Sequence, residues 1–200
     1  MTERPAVAVP VAPLARIQTP RLTLTLAPPE AAPRVVAYHR ENWDHLARWS
    51  APRSSEDLSV AAWRRRLEQF AVDERAGSAL RLMLFPERNL GGPVLGVVNF
   101  TQIFRGPFQA CYLGYALDFR LEGRGLMHEA LEAAIRHVFE VLKLHRIMAN
   151  YMPSNERSAA LARRLGFVPE GIARDYLYID GAWRDHVLTA LTNPIAIKPA

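Results

Sequence analysis

Cysteine is almost missing: Cys111 is the only one in 200 residues. No disulfide can therefore close within the chain and no cysteine-based metal site can form, which fits a reducing compartment, the cytoplasm. His128, His137, His145 and His186 keep no ligand spacing with one another, so no metal is expected. Long apolar runs are missing too. None approaches the ~20 residues that cross a bilayer, so no membrane partner is expected. The apolar stretch at residues 1–14 is broken by Pro5, Pro10 and Pro13 and carries Arg4 as its only cation, a poor secretory signal. The Gly-Lys-Ser/Thr ending of a Walker loop and the full three-glycine dinucleotide fingerprint are also absent.

Half of the residues are hydrophobic, enough for a sizeable core and one α/β (α+β) domain. Lysine and arginine outnumber the acidic residues 25 to 20. The net charge of +5 suits an acidic partner such as a nucleotide cofactor or ribosomal RNA, although many soluble enzymes are mildly basic. Residues 1–16, rich in alanine, valine and proline, read as a flexible tail, 17–194 as the domain and 195–200 as a second tail.

Within the domain, Leu22, Leu24 and Leu26 alternate with Thr23 and Thr25 and predict a half-buried strand. Pro28, Pro29 and Pro33 end it and permit a helix, which reaches about Trp49. A second helix is expected after Ser55, with Val60, Trp63, Leu67, Phe70 and Ala71 on one face. Arg64, Arg65 and Arg66 fall largely off that stripe and read as a solvated face. Apolar runs at 79–85, 94–104 and 110–117 predict an antiparallel meander. Leu126, Ala130, Leu131, Ala134, Ile135 and Val138 then keep helical spacing. A strand at 146–152, a helix at 156–165 stopped by Gly166, and a hairpin around Asp180-Gly181 complete the chain.

The decisive segment is Arg120-Leu121-Glu122-Gly123-Arg124-Gly125, between a strand and the helix opened by Leu126. The glycines let the backbone turn sharply and approach a ligand closely. Amides freed at a helix start favour an anion such as pyrophosphate, and Arg120 or Arg124 can add a charge-assisted contact. Glycines in that place also serve simply as a tight turn.

Arg-x-x-Gly-x-Gly at 120–125 resembles the pyrophosphate-binding signature of the GNAT acetyltransferases. Asn155 followed by Ser158 and by Gly166-Phe167 is similar to that family's second signature. Glu170-Gly171 with Arg174, the string Asp180-Gly181-x-Trp183-x-Asp185, and the segments 110–115, 145–153 and 180–191 resemble its Rim-type branch. The resemblance covers roughly residues 19–194. It implies a mixed, mostly antiparallel sheet of about seven strands flanked by about four helices, and acetyl-CoA as cofactor. The backbone of Leu117, Asp118 and Phe119 would bind the pantetheine arm, the turn from Arg120 through Leu121, Glu122, Gly123 and Arg124 to Gly125 the pyrophosphate, and Asn155 the arm's other side. The thioester would lie between strands 110–117 and 146–152. The implied acceptor is the N-terminal α-amine, an alanine, of a small-subunit ribosomal protein, with contact to the ribosome or a pre-ribosome. A small-molecule amine as acceptor, or an RNA-binding assembly factor on the same fold, are the alternatives.

The chain departs from the family pattern in two places. A tyrosine that many relatives carry is Ala162 here, and Ser158, one helical turn earlier, is expected to take over hydrogen bonding to the sulfur. Its alternative is a helix-start residue bonding its own backbone. Tyr112 stands where relatives often carry a glutamate, and either relays through water or packs. No base is assigned among Asp118, Glu122 and Glu129, the last read as a solvated residue. An α-amine has a pKa near 8 against ~10.4 for lysine, so its deprotonation costs about 3 kcal/mol less and a weak base suffices. Cys111 reads as a buried strand thiol, and Tyr176, Tyr178 and Trp183 either line the acceptor cleft or pack in the core.

Overall fold

The computed structural model describes residues 14–51 and 56–195. The tails expected at 1–16 and 195–200 lie largely outside these residues. Strands are β1 (Arg16–Gln18), β2 (Leu22–Thr25), β3 (Leu80–Pro86), β4 (Gly96–Phe104), β5 (Ala110–Leu117), β6 (Arg146–Met148), β7 (Val168–Ile179) and β8 (Ala182–Thr192). Helices are α1 (Ala32–Glu41), α2 (Trp43–Leu46), α3 (Val60–Arg75), α4 (Leu126–Glu140) and α5 (Glu156–Arg164). They build one sheet in the order β1-β2-β3-β4-β5-β6-β8-β7, antiparallel except for the β5–β6 pair.

The expected architecture stands, with eight strands rather than about seven and five α-helices rather than about four among the described residues. The added strand is β1, three residues long, pairing Arg16 with Thr25 and Gln18 with Thr23. The added helix arises because the expected first helix breaks at Asn42. The buried Asn42 side chain donates to Tyr38 O and accepts the Phe119 N–H, at 2.9 Å each, so a turn is traded for a long-range tie. The next helix opens at Val60, not after Ser55, because Ser59 Oγ accepts from the Ala62 amide, while Glu56–Leu58 form a separate 3-10 turn.

Period-two alternation divides the sheet into two faces. Leu22, Leu82, Val98, Phe100 and Leu113 pack towards Leu131, Ala134 and Val138 of α4. Met83 and Phe85 pack on the other face against Val35 of α1 and Trp63 and Leu67 of α3. Glu129 on α4 is not a free solvated residue. It accepts from Thr19 Oγ1 and Arg21 Nε at 2.6 Å each and from the Arg21 amide at 2.9 Å, which seats the entry to β2 on α4.

Candidate active site

The Asp118–Leu126 connection is where β5 hands over to α4. Asp118 Oδ1 accepts from the Arg120 amide at 2.9 Å and starts a 3-10 turn over Phe119–Leu121. Gly123 and Gly125 then take φ of +74° and +75°, the left-handed region that glycine enters without cost. A Cβ at position 123 would meet no atom within 4 Å, so the turn presents bare backbone to open space. Gly125 precedes α4 with no side-chain cap. Among the described residues, the six consecutive amides from Gly123 to His128 have no acceptor within the protein. Such a row at the positive end of a 15-residue helix fits an anion with several oxygens, such as a pyrophosphate.

The arginines of the turn divide. Arg120 is tied to Asp118 at 2.5 Å and Glu41 at 2.6 Å, so it braces the turn rather than facing a ligand. Arg124 is exposed, and its side chain has no partner among the described residues. Its carbonyl accepts from Arg21 at 2.9 Å, which anchors the turn from behind. Glu122 turns sideways to His45 Nε2 at 2.8 Å and to Arg157 at the start of α5. Together with Asn42, which holds the Phe119 amide, these contacts stitch the α1–α2 corner to the anion cradle. In the backbone expected at the pantetheine arm, Asp118 N–H goes to Leu95 O at 2.8 Å and Phe119 N–H to Asn42, so these two amides are engaged within the protein.

The splay between strands is present. β5 pairs with β6 only over residues 110–112 with 146–148, and then continues to Leu117. The chain after β6 turns towards β8 instead, with Ala149 N–H on Thr189 O and Tyr151 bridging Val187. β6 therefore stops at Met148 rather than 152, and a wedge opens beside Leu113–Leu117. Asn155 caps α5, its Oδ1 accepting from the Ser158 amide at 3.0 Å. The Ser158 hydroxyl does not bond its own helix. It lies 2.7 Å from Tyr115 Oη, which reaches across the wedge from β5. Burial raises the Tyr115 pKa above its ordinary value of 10, with the Ser158 bond opposing and Tyr151 adding, so the pair is a protonated donor at neutral pH. Ala162 is buried in the core one turn further on.

Tyr112 lies three residues before Tyr115 and so on the opposite face, level with Met148 and Thr101. The two catalytic candidates, Tyr112 and Ser158, flank the wedge from opposite sides and do not touch. Tyr112 hydrogen-bonds Tyr176, which raises its pKa together with burial and with Arg146 opposing; it is a neutral phenol and no base. Tyr176 in turn receives Asn150 Nδ2 at 3.2 Å. Trp183 and Tyr178 are exposed at the β7–β8 hairpin, rings 5.8 Å apart, and belong to neither core nor wedge. Asp118 is held ionised below its ordinary range by Arg120, and Glu129 likewise by Thr19 and Arg21 against the effect of burial, so neither is placed to accept a proton. Cys111 is buried, its thiol pushed up to about 12 by burial, and is inert. No group of three or more potential metal ligands occurs among the described residues.

These ionisations set an acid limit on stability. Burial, with Arg48 and Arg157, lowers the His45 pKa below 6.5, and burial alone lowers that of His137. The unfolded chain then binds protons first as pH falls, so their contribution is complete above about pH 6.5 and shrinks below it. Asp118 and Glu129 add a second loss once the pH falls below their ordinary values of 3.8 and 4.5. The urea midpoint is expected to hold from pH 8 to 7 and to fall between 6.5 and 5. In His137→Gln that first fall should be smaller; an identical fall would remove His137 as its cause.

Residues 21–168 match the acetyltransferase (GNAT) domain family, and the chain belongs to that family. Within it, the chain is 46% identical to the [ribosomal protein uS5]-alanine N-acetyltransferase of Escherichia coli strain K12, covering 91% of this chain and 93% of that one. The crystal structure of the ribosomal-protein-S5-alanine acetyltransferase from Vibrio fischeri superposes with a TM-score of 0.85 at 36% identity, over 90% of this chain and 97% of the other. Mycobacterium smegmatis RimJ in complex with CoA-disulfide gives a TM-score of 0.81 at 26% identity, covering 90% and 86%.

Proposed function

We propose that the chain moves an acetyl group from acetyl-CoA to the N-terminal α-amine, an alanine, of a small-subunit ribosomal protein in the cytoplasm, with residues 17–194 as the catalytic domain. The observation that carries the reading is the row of six unpaired amides at Gly123–His128, which suits the cofactor's pyrophosphate. Arg124 is the cation left to join them. Bound there, acetyl-CoA supplies an activated thioester. The wedge beside Leu113–Leu117 orients the reacting carbonyl, with β5 main chain as the source of an oxyanion donor. Ser158, backed by Tyr115, holds a proton for the departing sulfur. Tyr112, Tyr176 and Asn150 present hydroxyl and amide groups on the acceptor's side of the sheet. None is a strong base, and an α-amine with a pKa near 8 needs none.

The acceptor is supported by the similarity to the alanine N-acetyltransferases that act on uS5 and S5. Contact with the ribosome or a pre-ribosome belongs to the same reading. The test is incubation with acetyl-CoA and two peptides that share a ribosomal-protein N-terminus, one with a free α-amine and one blocked. Mass gain in the free peptide alone is expected. No gain in either, from folded enzyme that binds the cofactor, would overturn the assigned acceptor class.

A further inference from the structure

His186 lies in the middle of β8, its side chain largely buried and its ring tilted against that of Tyr176 at 5.3 Å and 54°. Its Nδ1 stands 3.0 Å from Arg184 O. A carbonyl only accepts, so Nδ1 carries the proton and the neutral ring presents its lone pair at Nε2. Nε2 has no partner among the described residues, yet it is not sealed in: it keeps contact with solvent. The Arg184 side chain turns away to Ile179 O, and among the described residues no carboxylate or cation pairs with the ring. The main chain therefore fixes the tautomer and leaves the basic nitrogen free.

The register places His186 at the wedge. Tyr112 pairs with Met148, and Met148 with Ala190 of β8, so the three share a face of the sheet. Both bulges of the β7–β8 pair add residues to β7, so β8 keeps its alternation, and His186, four residues from Ala190, lies on that face too. β8 runs opposite to β5 and β6. Four residues before Ala190 is therefore level with Ala116, four residues after Tyr112 and inside the stretch where β5 has lost its neighbour. Gly114 lies on the same face of β5, is exposed, and has nothing within 4 Å of where its Cβ would be. Open space on one wall of the wedge thus meets a free imidazole nitrogen on the other, opposite in face to Ser158. Tyr176, packed on the imidazole, has its hydroxyl engaged by Tyr112 and Asn150, which leaves His186 as the nitrogen base on this side.

We infer that His186 Nε2 is the proton acceptor for the attacking amine, reached over one water molecule at most. The inference rests on the proposed amine transfer and adds the destination of its proton. The amine nitrogen bonds to the acetyl carbon and the carbon–sulfur bond breaks. One N–H proton passes to Nε2, and the sulfur takes one from the Ser158–Tyr115 pair on the other face. Exchange with water then clears the imidazole and resupplies the hydroxyls. Donor and acceptor of protons are thereby kept on opposite faces of the sheet, where neither can quench the other. An imidazole is a weak base, which is all that an α-amine with a pKa near 8 requires.

The test is steady-state kinetics with acetyl-CoA and an alanine-terminated peptide. His186→Asn keeps an N–H for Arg184 O and removes the accepting nitrogen; His186→Gln removes it as well and serves as the second variant. Both are expected to lose about a hundredfold in kcat at pH 8, with the affinity for acetyl-CoA unchanged by calorimetry. The deficit relative to wild type should narrow as the pH is lowered towards about 5.5, because a protonated imidazole cannot accept. Damage to packing alone would give a deficit that does not shrink. A kcat within about threefold of wild type in either folded variant, or a deficit constant across the pH range, would overturn the inference while leaving the transferase intact. Wild-type enzyme that binds the cofactor and acetylates no peptide removes the proposed function, and the proton acceptor with it.

Discussion

Gly123→Glu is expected to abolish the stabilisation of the protein by acetyl-CoA while leaving the fold in place. Nothing within 4 Å obstructs a side chain at this position, so the folded state meets only the left-handed φ of +74°, a strain of about 1–2 kcal/mol. The carboxylate, however, would stand among the amides of Gly123–His128 and present a negative charge to the pyrophosphate. A ligand at one hundred times its Kd stabilises the native state by about 2.7 kcal/mol. For a domain of this size that raises Tm by about 5–10 °C. Wild type should show that rise, Gly123→Ala a reduced one, and Gly123→Glu none. The alanine variant carries the same backbone strain without the charge, so the difference between the two isolates the electrostatic part. A full rise in Gly123→Glu would detach the phosphate from this turn.

Much of this site was legible because its parts are local. Gly123 and Gly125 sit between a strand and a helix whose apolar spacing is regular, and β5 ends in the structure where its apolar run ends, at Leu117. The elements that escaped detection lack such a pattern. β1 has three residues inside an alanine- and proline-rich stretch. Of β7 only the end at 176–179, beside the Asp180-Gly181 turn, was expected; its start with Val-Pro-Glu-Gly, two bulges and exposure on both faces leave residues 168–175 without alternation. The break at Asn42 depends on an amide 77 residues away, which no window of sequence contains.

The parts of the site that a sequence window does not reveal are joined over long distances in the chain. Tyr115 belongs to an apolar strand, and only its distance of three residues from Tyr112 tells that the two face opposite ways. Its partner Ser158 lies 43 residues further on. Asn42 and His45 sit in what reads as plain helix, yet the first fixes Phe119 and the second Glu122. Long-range ties of this kind hold the cradle in shape, whereas the amides that would meet the ligand follow from the local turn alone.

Removing the Ser158 hydroxyl is expected to cut kcat by about a hundredfold, the lower end for loss of a proton donor to a leaving group. Tyr115→Phe should give a loss of similar size, because the 2.7 Å bond makes the two hydroxyls one device. The cycle decides between relay and packing. Residues that act as a unit are not additive, so the double variant should be no slower than the worse single one. Binding of acetyl-CoA should survive in all three, since neither hydroxyl touches the phosphate turn. The pH profile gives a second readout. Burial raises the Tyr115 pKa from its ordinary value, so kcat should rise with deprotonation of the acceptor amine near pH 8 and then stay level to about pH 9. Losses that multiply in the double variant, or full activity in Tyr115→Phe, would leave Ser158 acting alone and reduce Tyr115 to a packing residue.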